Sequence, residues 1–290
     1  MYYYLVDPSK FEGKNFEFYQ TQLLALLGEY HVAGEVARVT KLRTVGDLVA
    51  TAFSRGVSTL VVVGDDETFN QVVGVCKGKP VTLGYVPIND SSEVAQVFGI
   101  RSLEEAVATI AKRRVVNLDL AKVGENYFIA ALNFGFLPEK FFTAAPNEPM
   151  PGWFSSLRAF SAIAPQEVTL TFDGNFSATS KLLAGSIINV RDHSSVNPEV
   201  SLGDPRDQLL DAVMTGELSK FQAFRYRKLL ADKSYEAVPG GSVVHAKTIE
   251  IKSPEGLPIY LSGRIIAHTP VTVTIGNQTL RVIVGKERQF

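Results

Sequence analysis

The feature that most constrains the fold is a change in hydrophobic pattern near residue 112. Before this point, short apolar runs alternate with amphipathic helical stretches, whereas after it runs of period two follow one another. Helices placed between strands indicate a parallel sheet, and successive period-two runs indicate antiparallel pairing. The sequence therefore predicts an α/β domain with a parallel sheet at 1–112 and a β-sandwich-like domain at 113–270. Residues 271–290 are predicted to be closing strands or a tail that returns to the first domain.

The predicted elements follow from the same patterns. In the first part they are four strands, at 2–6, 33–39, 59–63 and 81–86, and five helices, at 15–30, 45–55, 69–75, 91–98 and 103–111. In the second part the dipeptides DG at 173–174 and GN at 276–277 predict hairpin turns. Helical segments are predicted at 153–163 and 218–231.

Composition narrows the range of partners. The 29 basic and 30 acidic residues leave no charge excess of the kind that nucleic-acid binding requires. No apolar run is long enough to cross a membrane, and a single cysteine, Cys76, is typical of a chain in a reducing compartment. The four histidines fit no metal-ligand spacing. We expect a cytoplasmic protein without a transmembrane segment.

Four turns after the predicted strands are the candidate ligand site. They occupy 7–13, 39–47, 63–72 and 84–100 and are expected to meet at one crevice, because ligands of parallel sheets bind at the carboxyl ends of the strands. The third turn reads Gly64, Asp65, Asp66, Glu67. Its carboxylates have two readings: a solvated acidic turn that caps the next helix, or oxygen ligands that hold Mg²⁺ against a phosphate.

In their order and spacing these turns resemble the catalytic domain of the diacylglycerol kinase and sphingosine kinase family. The family's G-G-D-G-T-x-N-E-V lies over 64–72, and its P-x-G-T-x-N-D-x-A-R lies over 87–96. Asp7 and Thr40 lie over residues on the nucleotide side. The segments NLDLAKVGENYFIAALNFGF at 117–136 and DQLLD at 207–211 resemble parts of the second domain, and Ser262-Gly263-Arg264 lies over the final D-G-E motif.

The resemblance implies an ATP-dependent lipid kinase with ATP and Mg²⁺ as cofactors. Asp66 and Asp119 would be catalytic and would hold the metal, and Ser262 and Arg264 occupy the place of the catalytic base. The residues that would contact the nucleotide are Asp7, Thr40, Gly64, Asp65, Glu67, Thr68, Asn89, Asp90 and Glu93.

Several of these positions depart from the family. Asp65 and Glu67 replace glycines that let backbone amides approach the phosphates, and Asn89 and Asp90 replace a Gly-Thr pair. In the base motif, serine is not basic and arginine stays protonated, so neither can accept a proton. Arg264 is predicted to pair with Asp119 or Asp66. We expect weak ATP binding and no catalysis.

The favoured hypothesis is a degenerate lipid-kinase-fold protein that acts as a binding or regulatory module. The alternative is an active ATP-dependent lipid kinase that phosphorylates a diacylglycerol-like or sphingosine-like hydroxyl. A relative of NAD kinase fits the β-rich second part less well.

A lipid or a membrane surface is a candidate partner, and the protein could be peripheral to a membrane. Aromatic residues between 136 and 160 could line an acyl-chain channel or form core, and the basic stretch at 220–233 could face anionic lipid or solvent. A homodimer is left open.

Overall fold

The structure is a computed structural model, and it describes residues 1–11, 15–89, 92–136, 164–191, 202–288 and 290. The strands of the first part are β1 (Tyr2–Val6), β2 (Glu35–Arg38), β3 (Thr59–Gly64) and β4 (Thr82–Pro87). Its helices are α1 (Phe16–Glu29), α2 (Val45–Ser54), α3 (Asp66–Cys76), α4 (Glu93–Val97) and α5 (Leu103–Lys112).

The second part is mostly strand. Its strands are β5 (Val115–Val123), β6 (Asn126–Phe128), β7 (Ala131–Gly135), β8 (Gln166–Phe172), β9 (Phe176–Leu182), β10 (Ala184–Ile188), β11 (Leu210–Met214), β12 (Ser242–Ala246), β13 (Thr248–Lys252), β14 (Pro258–Leu261), β15 (Arg264–His268) and β16 (Val271–Ile283). Two short helices, α6 (Lys220–Arg225) and α7 (Arg227–Ala231), lie in the segment predicted to be helical at 218–231.

The first four strands form a parallel sheet in the order β2-β1-β3-β4. Every residue of β3 is buried, as expected of a central strand that is covered on both faces. The helices that cover the sheet contact one another in pairs, α1 with α5 and α2 with α3. The predicted parallel-sheet α/β architecture is confirmed.

Side-chain caps set the starts of the helices. Asn15, Thr44, Asp65, Ser92 and Ser102 each accept a hydrogen bond from a backbone N–H in the first turn of the helix that follows. Helix α3 therefore begins at Asp66, three residues before the predicted start, because Asp65 is its cap. The acidic turn is thus the first turn of a helix, where carboxylates interact favourably with the helix dipole.

The second part forms a β-sandwich. Strand β16 pairs in parallel with β4 and antiparallel with β5 and β13, so the first sheet continues through β16 to β13, β8 and β9. A second sheet has the order β12-β11-β10-β7-β14-β15. Phe134 of the second sheet and Ile249 of the first lie in one shared apolar core. Because β16 joins strands of both predicted domains, the boundaries at 112 and 270 stay a prediction.

One hairpin prediction is confirmed and one is wrong. Asp173 and Gly174 turn between β8 and β9, both with positive φ. Gly276 and Asn277 do not form a hairpin turn, because β16 runs through them from Val271 to Ile283. The segments on either side both pair with β5, and the register shifts between Ile275 and Thr279. The glycine marks a β-bulge. The predicted helix at 153–163 lies outside the described residues.

Candidate functional site

The site lies where the parallel strands end, and its centre is the acidic turn. Asp65 Oδ1 accepts hydrogen bonds from the Thr68 backbone N–H and the Thr68 hydroxyl, each at 2.9 Å. The ammonium of Lys10, in the turn after β1, lies 3.1 Å from Asp65 Oδ2. An anion at a helix N-terminus is normally held by such donors. The carboxylate of Asp65 therefore occupies the place that an external phosphate would need.

Glu67, which replaces the second glycine, is held by two cations. Lys10 forms a hydrogen-bonded ion pair with it, and Arg264 Nη1 lies 3.0 Å from both of its carboxylate oxygens. Burial would lower the pKa of Lys10, but hydrogen bonds to Glu67 and Asp65 raise it above its usual value. Lys10 therefore remains charged. The prediction that Arg264 pairs with Asp119 or Asp66 is wrong, because the hairpin that carries Arg264 faces the first turn of α3.

Asp66 points away from the other two carboxylates and joins two loops. One of its oxygens accepts hydrogen bonds from the hydroxyls of Tyr85, at 2.8 Å, and Ser92. The other accepts from the backbone N–H groups of Glu93, at 2.9 Å, and Val94, at 3.4 Å. Burial raises the pKa of Asp66, although the bonds from Ser92 and Tyr85 oppose this shift. Both oxygens are thus engaged in fastening α4 to the acidic turn.

Asp7 and Thr68 connect the first turn to the third. Asp7 is buried and accepts a hydrogen bond from the Ser9 backbone N–H at 3.1 Å. Its Oδ2 lies 3.0 Å from the Thr68 hydroxyl, whose single proton is shared between Asp7 and Asp65. Gly64 packs closely on the same threonine, since a Cβ at Gly64 would lie 3.1 Å from Thr68 Cβ. A side chain at position 64 would fit only if Thr68 shifted by a few tenths of an ångström.

The hairpin between β14 and β15 brings the second part of the chain to this site. Ser262 and Gly263 form its turn and both have positive φ, as a two-residue type I′ turn requires. The Asn70 side-chain amide of α3 donates to the Ser262 hydroxyl at 3.3 Å. A cleft of about 650 Å³ lies beside this contact, and α2, α3 and the hairpin form its walls. Its lining includes Thr44, Glu67 and Arg264.

The other predicted nucleotide-side residues are placed separately. Thr40 is exposed and accepts a hydrogen bond from the Arg43 N–H at 3.1 Å. Asn89 is exposed at the end of β4, and Asp90 lies outside the described residues. Glu93 forms an ion pair with Lys233, which follows α7. These contacts give Thr40, Asn89 and Glu93 no defined role toward a ligand.

Asp119 has a separate environment. It lies on β5 and accepts a hydrogen bond from the Gln208 backbone N–H at 2.9 Å. Burial raises its pKa, the Gln208 N–H opposes the shift, and the nearby carboxylates of Asp207 and Asp204 add to it. No cluster of three histidine, cysteine or carboxylate side chains among the described residues could hold a metal ion. A metal role for Asp66 and Asp119 stays a prediction, and the hydrogen bonds of Asp66 argue against it.

Sequence reasoning missed Lys10, Asn70, Tyr85 and Ser92 as parts of this site. The lysine could have been inferred from charge, because nearby cations offset the repulsion among three adjacent carboxylates. The hydroxyls of Tyr85 and Ser92 left no such signal. Their roles depend on Asp66 pointing inward, which local sequence does not reveal.

The residues present do not fit a bound triphosphate. The helix N-terminal donors of Thr68 and the cation of Lys10 are used by Asp65, and Arg264 is used by Glu67. A triphosphate would have to displace two carboxylates that the chain itself supplies. Two unit charges 4 Å apart repel by about 1 kcal/mol in water, and by about 4 kcal/mol near a protein surface. The cations beside the open cleft are thus neutralised by carboxylates of the chain itself.

Part of the sequence matches known proteins. Residues 3–123 match the model of the diacylglycerol kinase catalytic domain. A protein of Serratia proteamaculans (strain 568), described as "Probable lipid kinase YegS-like", is 37% identical over 95 residues, which are 30% of this chain and 31% of that protein. The chain thus matches about a third of the length of this curated relative.

Solved structures share the fold over nearly the whole chain. A diacylglycerol kinase from Bacillus anthracis str. Sterne superposes with a TM-score of 0.70 and 16% identity, covering 99% of this chain and 97% of that one. An NAD kinase from Archaeoglobus fulgidus, in complex with ATP, has a TM-score of 0.53 and 12% identity, covering 100% of this chain and 96% of that one. Residues 3–123 thus match the diacylglycerol kinase catalytic domain, and the chain as a whole shares the fold of these solved kinases.

Proposed function

We propose that this protein is a lipid-kinase-fold binding or regulatory module that does not transfer phosphate. The observation that carries the proposal is the position of the Asp65 carboxylate on the N-terminal donors of α3, with Lys10 as its counter-ion. In a phosphate site these donors are left for the ligand. Here the chain satisfies them, so the fold is retained while its phosphate site is closed.

The hairpin at the base motif supports the same conclusion. Phosphoryl transfer to a hydroxyl needs a group that accepts the hydroxyl's proton, and such a group contributes about 10²–10⁴-fold to the rate. Ser262 and Arg264 cannot accept that proton at neutral pH. Arg264 instead neutralises Glu67. Glu67 and Arg264 both depart from the family, are far apart in sequence, and pair in the structure. This pairing is more consistent with a structural contact than with a rearranged catalytic site.

The ATP of the NAD kinase neighbour and the activity of the family make ATP the first ligand to test. We expect ATP at millimolar concentration to bind weakly or not at all, with or without Mg²⁺. The double substitution Asp65→Gly with Glu67→Gly releases Lys10, Arg264 and the Thr68 N–H, and should increase the affinity at least tenfold. Isothermal titration of ATP into both proteins measures this. Glu255→Gly with Glu167→Gly removes two carboxylates from exposed positions of the second part and controls for net charge.

An active kinase is the alternative, and a radiolabelled-phosphate assay against a lipid extract decides between them. Robust incorporation by the natural sequence that is lost in Asp119→Asn would establish the enzyme. Asp66 is a poor choice for this control, because four hydrogen bonds depend on it and its removal would disturb the fold. Micromolar ATP affinity in the natural sequence would also overturn the proposal.

A further inference from the structure

A basic and aromatic surface on α6 and α7 lies outside the cleft. Its members are all exposed: Lys220, Phe221, Phe224, Arg225, Arg227 and Lys228. The sequence has no acidic residue between positions 218 and 231. Phe221 is 70% exposed and Phe224 is 40% exposed. Exposed phenylalanines in a soluble fold mark interaction surfaces when they are grouped. We call this group the α6–α7 surface.

The helical spacing places the two ring systems and one of the cations on one side of α6. Phe221, Phe224 and Arg225 stand at i, i+3 and i+4, which is one face of a helix. Tyr226 separates α6 from α7, and the Leu230 N–H donates to its carbonyl at 3.0 Å at the start of α7. Arg227 and Lys228 lie in this next turn and are exposed as well.

The opposite side of the same segment is buried in the core. Ala223 and Leu230 are fully buried and pack with Leu183, Val213 and Tyr235. Neither Phe221 nor Phe224 belongs to this core cluster. Arg227 lies over the Phe224 ring, with its guanidinium carbon 4.8 Å from the ring centroid, so cations and rings are interleaved.

Charge complementarity selects the partner. We propose that the α6–α7 surface docks the protein onto the headgroup region of an anionic lipid bilayer, with the phenylalanine rings entering the interface. Basic residues beside exposed rings match the negative surface and the apolar boundary of such a bilayer. A second copy of the chain fits less well, because a two-fold contact through this surface would bring two sets of four cations together. The proposal holds whether or not the cleft transfers phosphate.

Vesicle flotation tests this with the whole protein. The natural sequence should bind vesicles of phosphatidylcholine with 30% phosphatidylglycerol. Binding should be weaker to vesicles of phosphatidylcholine alone, and weaker at high salt. Each basic residue at the anionic surface is expected to contribute about fivefold to the affinity. Phe221→Ser with Phe224→Ser should reduce partitioning at least tenfold. Phe18→Ser is the matched control, since Phe18 is 62% exposed on α1, a helix without basic residues, and this substitution should leave binding unchanged.

Charge reversal gives a second, independent measurement. Arg225→Glu with Lys228→Glu should reduce binding to the anionic vesicles at least tenfold. Lys79→Glu with Lys181→Glu changes the net charge by the same amount at exposed sites elsewhere, and should reduce vesicle binding far less. Equal losses in the two pairs, or unchanged binding in the phenylalanine variant, would overturn the proposal. So would binding to a single-stranded RNA homopolymer in place of vesicles, which would identify a nucleic-acid surface instead.

Discussion

Arg264 Nη1 lies 3.0 Å from the carboxylate of Glu67, and this ion pair joins the hairpin of the second part to the first turn of α3. In the family pattern that the sequence resembles, these two positions carry a glutamate and a glycine, and here they carry an arginine and a glutamate. The two substituted residues contact each other across the cleft.

This ion pair should be measurable as a modest coupling. Arg264 is 63% exposed and Glu67 is 26% exposed, so solvent screens the attraction. A double-mutant cycle with Arg264→Ala and Glu67→Ala should give a coupling free energy of about 0.5 kcal/mol in low salt, falling toward zero at 1 M salt. Urea unfolding of the four proteins measures it. A coupling that does not respond to salt would show that the pair acts through packing instead.

The cap of α3 should contribute more than an ordinary cap. Asp65→Ala removes the acceptor of the Thr68 N–H and also a partner of Lys10, so the free energy of unfolding should fall by more than the roughly 1 kcal/mol typical of a cap. Asn15→Ala is the matched control, because Asn15 caps α1 through the Phe18 N–H at 3.1 Å and its neutral amide cannot form an ion pair. Thermal unfolding compares the two. Equal losses would argue against a role for Lys10 at the cap.

The buried carboxylate of Asp66 should make stability depend on pH. Its pKa in the folded protein is raised above 3.8, the value for an unperturbed side chain. The folded state therefore holds a proton that the unfolded chain has lost, and stability falls as pH rises through the raised pKa. Relative to Asp66→Asn, which does not titrate, the natural protein should lose stability between pH 4 and the raised pKa.

Asp47 provides a control of opposite sign. Hydrogen bonds from the Thr44 hydroxyl and backbone lower its pKa. It contributes stability above its unfolded pKa and loses that contribution as pH falls through the lowered value. Urea midpoints are measured from pH 2 to pH 7 for the natural protein, Asp66→Asn and Asp47→Asn. As pH rises, the stability of the natural protein relative to Asp66→Asn should fall, and its stability relative to Asp47→Asn should rise. Parallel curves for the two variants would contradict the assignment of Asp66.

Restoring the base motif alone should harm the protein without activating it. Ser262→Asp with Arg264→Glu removes one cation from Glu67 and places a like charge beside it. Two like charges about 4 Å apart repel by about 1 kcal/mol in water. Adding Asp65→Gly and Glu67→Gly removes that repulsion and opens the helix N-terminus. Lipid phosphorylation, measured in the two- and four-substitution variants, should be detectable only in the latter. Activity in the two-substitution variant would show that the acidic turn does not block phosphate.

The sequence by itself determined the architecture. Alternation of strand and helix before residue 112 and period-two strands after it depend on local patterns, and the observed sheets follow them. The order of the turns was also sufficient to identify the family. The hairpin predicted at Gly276 was wrong because the local sequence is ambiguous. A glycine between two strand-like runs is compatible with either a turn or a bulge, and only the pairing of β16 with β5 distinguishes them.

Only the tertiary structure decided what the three carboxylates do. Glu67 is 57 residues from Lys10 and 197 residues from Arg264, so neither partner could be read from neighbouring sequence. Asp66 turns inward to Tyr85 and Ser92, whereas Asp65 caps α3, although the two residues are adjacent. Periodicity determines which face of an element is buried, because burial is repeated along the element. The partner of a single charged side chain is set once, by the packing of distant segments against each other.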